Sequence, residues 1–139
     1  MGKRFVVAWV VLFVVWMVKD MVVHGMLLNA DYKGLPQLFR SEADAQAYFG
    51  WMILAHVLLA GALVWIYERG IAADKPWLGQ GVRYGVVVAL LTVVPTYLIY
   101  YAVQPLPGAL VVKQILFDAI GLIVLGIVVA WLYRPKPAA

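Results

Sequence analysis

Asp20, His24, His56 and Asp118 can exchange a proton or hold a cation, yet each falls inside a long apolar stretch where water is scarce. An ionised side chain at the centre of a bilayer helix costs roughly 2.5–3.5 kcal/mol, so such groups are kept with a partner and mark functional sites. Asp20 and His24 stand one helical turn apart. With Phe13, Met17, Met21 and Leu28 they recur at three- and four-residue spacing, which is one helix face. Lys19 falls nearly opposite Asp20. Its stem is expected to run along the lipid boundary toward the headgroups, away from the carboxylate.

Three chemistries suit these residue types. The first is a soft metal or haem. Met17, Met21, Met26 and Met52 all lie within a few residues of His24 or His56, and thioether with imidazole suits copper(I). A His/His or His/Met pair can also hold the iron of haem b. On this reading His24, His56, Met21 and Met52 are the ligands, while the competing reading of the methionines is plain core filling.

The second chemistry is a proton or cation path from Asp20 and His24 to Asp118, with Tyr97 and Gln114 beside it. Burial pushes carboxyl and imidazole groups toward neutrality from opposite sides. The competing reading is a structural lock. Intramembrane hydrogen bonds average only about 0.6 kcal/mol, which is a weak reason to keep charges there. The third chemistry is a small amphiphile such as a quinone or lipid, lined by Tyr97, Tyr100, Tyr101, Trp16 and Trp51. Aromatic residues at these depths usually serve as belt and packing.

The chain that must position these groups has 139 residues, of which 65% are hydrophobic and 13% charged. Its mean hydropathy is +0.91. Globular domains are about 45–50% apolar and about 25% charged, so this is the composition of an integral membrane protein. Four stretches reach the roughly 20 apolar residues that a spanning helix needs. The expected helices are about 5–28, 42–68, 81–103 and 109–133, an all-α antiparallel four-helix bundle forming one domain. Lys3 and Arg4 before an apolar run resemble a signal peptide. No small-residue cleavage site follows, and Lys19-Asp20 interrupts the run, so the first helix is expected to stay.

Ser41-Glu42-Ala43-Asp44 reads as a helix start with a hydroxyl cap and early acids. Asn29–Arg40, with Gly34 and Pro36, reads as non-helical. Pro95 is expected to kink the third helix. Basic residues concentrate at the termini and in the second loop, as Lys3, Arg4, Arg69, Lys75, Arg83, Arg134 and Lys136. That distribution places both termini in the cytoplasm of a cell inner membrane. It also accounts for the net charge of +4 without nucleic acid.

At 1.5 Å rise per residue, Asp20, His56 and Asp118 all lie roughly 12–13 Å below the outer ends of their spans. One polar pocket in the outer half is expected. There is no cysteine, which excludes disulfides, iron–sulfur clusters, thiolate zinc and c-type haem. Ser41 is the only serine, and no phosphate-binding glycine loop or H-E-x-x-H is present, so an enzyme is not expected. The Gly81/Gly85/Ala89 stripe allows close helix approach, within the chain, to a second copy or to a larger complex. Two functions remain: a membrane protein binding or conducting a small ligand, ion or redox metal, or an accessory or assembly subunit whose buried polar groups only fix packing.

Overall fold

The computed structural model describes residues 2–135. Among them the chain is all-helical, with no strand. α1 (Lys3–Val22) runs into a five-residue π-helical segment, Val23–Leu27, and a short α2 (Asn29–Lys33). After a loop come α3 (Glu42–Ala47), α4 (Phe49–Gly70), α5 (Trp77–Leu91), α6 (Val93–Val103) and α7 (Gly108–Tyr133). Four segments are long and apolar enough to cross a membrane: Lys3–Leu27, Phe49–Gly70, Trp77–Val103 and Gly108–Tyr133. By that length and composition the chain is a multi-pass membrane protein.

The helix ends have local causes. Ser41 caps α3 by accepting from the Asp44 backbone N–H at 3.2 Å. The expected single helix 42–68 is nevertheless interrupted at Tyr48, and the spanning helix begins at Phe49. The first span also differs from a plain helix to residue 28. The Leu28 N–H bonds back five residues to the Val23 carbonyl at 2.9 Å, a widened turn. Such π turns occur mostly as single insertions, frequently at functional sites. The stretch after it contains one helical turn, α2, where Asn29–Arg40 was expected to be non-helical.

The third span starts at Trp77, earlier than expected, and breaks at Thr92. Pro95 has no N–H for the Leu91 carbonyl and its ring crowds that oxygen, so α5 ends at Leu91. The Thr92 hydroxyl donates to the Val88 carbonyl at 2.7 Å, closing the turn.

Packing follows side-chain size. Gly81 and Gly85 press on α7: a Cβ on Gly81 would lie 2.7 Å from the Gly126 carbonyl oxygen, and one on Gly85 would lie 2.5 Å from the Ile123 Cα. Of the partners expected for the stripe, Gly81 and Gly85 meet the one within the chain, because glycine lets the two backbones approach so closely. α1 packs on α4 where Trp9 fills the space over Gly61 and its indole N–H donates to the Val57 carbonyl at 2.7 Å. One core joins Phe5, Leu12 and Trp16 of α1, Ala60 and Val64 of α4, Ala89 of α5 and Leu125 and Val129 of α7. A second, smaller core near the first loop joins Val23 and Leu28 to Leu106, Leu110 and Val111. Much of the remaining apolar surface, including Val10, Val14, Leu58, Leu90 and Leu116, is exposed.

Candidate functional site

α1 lies between α4 and α7, so two of its flanks are covered, and adjacent residues about 100° apart can reach different neighbours. Asp20 faces α4, where its Oδ2 meets His56 Nε2 at 2.5 Å. Lys19 faces α7, where its ammonium donates to Asp118 Oδ1 at 2.7 Å. The same ammonium is ion-paired with Asp20 Oδ1. The expectation that Lys19 turns outward is overturned. It is the cation between two carboxylates.

Gly121 makes that possible. A Cβ there would overlap the Lys19 stem, meeting its Cγ at 3.0 Å, so the lysine runs through the notch left by the missing side chain. The signal was present in the sequence, since Gly121 follows Asp118 by one helical turn. A face count along α1 alone does not include it.

The network continues from both ends. His56 Nδ1 lies 2.6 Å from the Met52 carbonyl. A carbonyl only accepts, so Nδ1 carries a hydrogen. His56 Nε2 and Asp20 then share a single further proton. Counting it with the Lys19 ammonium, the positive charges balance the Asp20 and Asp118 carboxylates, as a low-dielectric interior favours. Asp118 Oδ2 accepts from the Tyr97 hydroxyl at 2.6 Å, and Trp16 stacks edge-on against His56.

His24 sits in the π segment. Its Nε2 lies 3.4 Å from Asp118 Oδ1 and 3.9 Å from Asp20 Oδ1. Its Nδ1 is 2.7 Å from the Tyr32 hydroxyl, which accepts from the Gln114 amide at 3.3 Å. With Tyr32 donating to Nδ1, a neutral His24 carries its one ring N–H on Nε2, toward Asp118. Gln114 is buried, and its carbonyl oxygen has no partner among the described residues. Asp20, His24, His56, Tyr97, Gln114 and Asp118 thus form one connected cluster, with Lys19 and Tyr32 as members that the sequence reading did not include.

Burial pushes the Tyr32 hydroxyl up to about 12, with the Asp118, Asp31 and Asp20 charges adding to that and the Gln114 hydrogen bond opposing it. A pKa raised above the ordinary tyrosine value gives stability that is full below about pH 10. That stability is lost as the pH rises through about 12. In a tyrosinate absorbance titration, the difference between wild type and Tyr32→Phe should show one phenol titrating about two units late. A component at the ordinary value would mean that Tyr32 is solvated.

Beside the cluster is a cavity of about 1050 Å³. Asp20, His24, His56 and Tyr32 of the cluster supply polar groups to its lining. Met17, Met21, Phe39, Phe49 and Met52 supply apolar wall, and Lys33, Arg40 and Glu42 stand among the first-loop residues that complete it. Met21 is 60% exposed and Met52 45%. Their thioethers belong to the open wall, whereas the cluster is built from oxygen and nitrogen.

The carboxylate and imidazole ligand atoms of Asp20, His24 and Asp118 all lie within 4.8 Å of one another, close enough to surround a cation. The Lys19 ammonium touches both carboxylates at that place. A metal there would have to displace it.

Comparison with protein-family models, curated proteins and solved structures finds no match. The reading of the site therefore rests on its own geometry. Both ring nitrogens of His56 are engaged, so copper(I) or haem at the expected His24/His56/Met21/Met52 set would require breaking the bond to Asp20 or to Met52. A donor group on a molecule in the cavity needs only a further lone pair of the Asp20 carboxylate, since each carboxylate oxygen accepts more than one hydrogen bond.

Proposed function

We propose that this is a non-enzymatic protein of a bacterial-type inner membrane, an antiparallel four-helix bundle with both termini cytoplasmic. It binds a small amphiphile in the outer half of the bundle and couples that binding to proton exchange with the Asp20–His56 pair. The observation that carries the reading is the meeting of a largely apolar cavity of about 1050 Å³ with a carboxylate and an imidazole in hydrogen-bond contact. An apolar pocket with a few convergent polar groups is the usual form of a small-molecule site. The exposed Met21, Phe49 and Met52 suit a ligand dissolved in the bilayer.

The test is the inventory of small molecules carried through purification, measured by extraction and mass spectrometry. Wild type should carry one amphiphile at about one per chain. Met52→Trp, which fills the cavity, and His56→Gln, which removes the imidazole, should each lose it. If all three carry the same inventory and His56→Gln only melts earlier, the polar cluster fixes packing and the accessory-subunit reading holds. A Soret band or stoichiometric copper lost in His56→Gln would instead assign the site to haem or copper(I).

A further inference from the structure

The other end of the molecule carries a second cleft, independent of the cavity above. It has a volume of about 670 Å³ and lies between the start of α1 and the end of α7. Lys3, Arg4 and Arg134 line it together with Val7, Trp131 and Leu132, and among the described residues no acidic one does. Among the described residues, none of these cations forms an ion pair with a carboxylate, whereas Lys33, Arg40 and Lys113 near the first loop all do.

Arg4 is held in place: its guanidinium donates to the Leu132 carbonyl at 3.0 and 2.9 Å and to the Arg134 carbonyl at 2.9 Å. It also lies over the Tyr133 ring at 4.8 Å, and Arg134 lies over Trp131 at 5.0 Å. Tying down the end of α7 accounts for Arg4 but not for Lys3 and Arg134 beside it. No side chain caps the start of α1 and its first turn has no acid, so the helix dipole adds to the positive field.

We infer that this cleft binds the phosphate headgroup of an anionic phospholipid, with Lys3, Arg4 and Arg134 on the phosphate and Val7 and Leu132 along an acyl chain. The charge complementarity, the apolar wall and the position at the ends of two membrane-crossing helices favour a lipid over a soluble anion. Basic pockets between transmembrane helices recognise lipid headgroups in this way.

The measurement is native mass spectrometry of the full chain in detergent with equal dioleoyl phosphatidylglycerol and dioleoyl phosphatidylcholine. Wild type should retain the phosphatidylglycerol preferentially. Lys3→Gln/Arg134→Gln should lower that preference roughly 30-fold, as expected for two interfacial charges. Val7→Trp, which fills the cleft without changing charge, should lower it too. Lys75→Gln/Arg83→Gln should leave it unchanged, and millimolar glycerol 3-phosphate should not displace the lipid. Equal losses in both charge variants would reveal a diffuse basic surface and overturn the proposal. A preference that survives Val7→Trp, or displacement by the soluble headgroup, would overturn it as well. Circular dichroism of each variant separates these results from misfolding.

Discussion

Lys19→Met is expected to lower the stability of the purified protein by about 3–5 kcal/mol, the usual result of removing one partner from a buried ion pair. The reason is the position of the ammonium. It bridges Asp118 and Asp20, and without it two carboxylates face each other in a part-buried site. One of them would have to take up a proton. Lys19→Met/Asp118→Asn should recover much of the loss, since it removes the stranded charge with the cation. Thermal melts of the singles and the double form the cycle that measures this coupling. Additive effects would show that Lys19 and Asp118 do not interact, and the network would lose its centre. Gly121→Ala should resemble Lys19→Met in direction, because it closes the notch through which the lysine passes.

Gly85→Val is expected to have an effect of similar size for a different reason. A Cβ at Gly85 meets backbone on α7, with the Leu122 carbonyl oxygen at 2.6 Å and the Ile123 Cα at 2.5 Å. A flexible side chain could swing aside, but backbone cannot, so α5 and α7 must separate. Overpacking typically costs about 1–3 kcal/mol, and a branched residue against backbone belongs at or above the upper end. Gly79→Val is the control, because nothing lies within 4 Å of its added Cβ. Equal melting temperatures for the two variants would mean that α5 and α7 are not in close contact there.

These two sites show where reading along the chain stops. Four apolar stretches long enough to cross a membrane follow from hydropathy alone, because burying twenty apolar side chains in lipid outweighs almost any local preference. The ends of the last helix, the Ser41 cap and a disturbance near Pro95 are also legible, since each depends on residues a few positions apart. So was the common level of Asp20, His56 and Asp118, which follows from the fixed rise of a helix. The methionines near His24 and His56 illustrate the opposite. Their proximity in sequence suggested ligation, but which atoms meet depends on how neighbouring helices turn.

Helix rotation and close approach are set by contacts between distant residues. Counting 100° steps on one helix places Lys19 toward lipid, because it treats that helix as having a single covered face. Placed between α4 and α7, α1 has two, and Gly121 on α7 opens the second to the lysine. The Gly81/Gly85 stripe marked a close contact without naming its partner, and only the packed α7 supplied one. Composition and short-range spacing therefore determined the helices and the shared level of the ionisable groups along them. The assembled fold decided which of those groups meet and which cation lies between them, because each answer depends on side chains about 36 to 99 residues apart in the chain meeting across a helix interface.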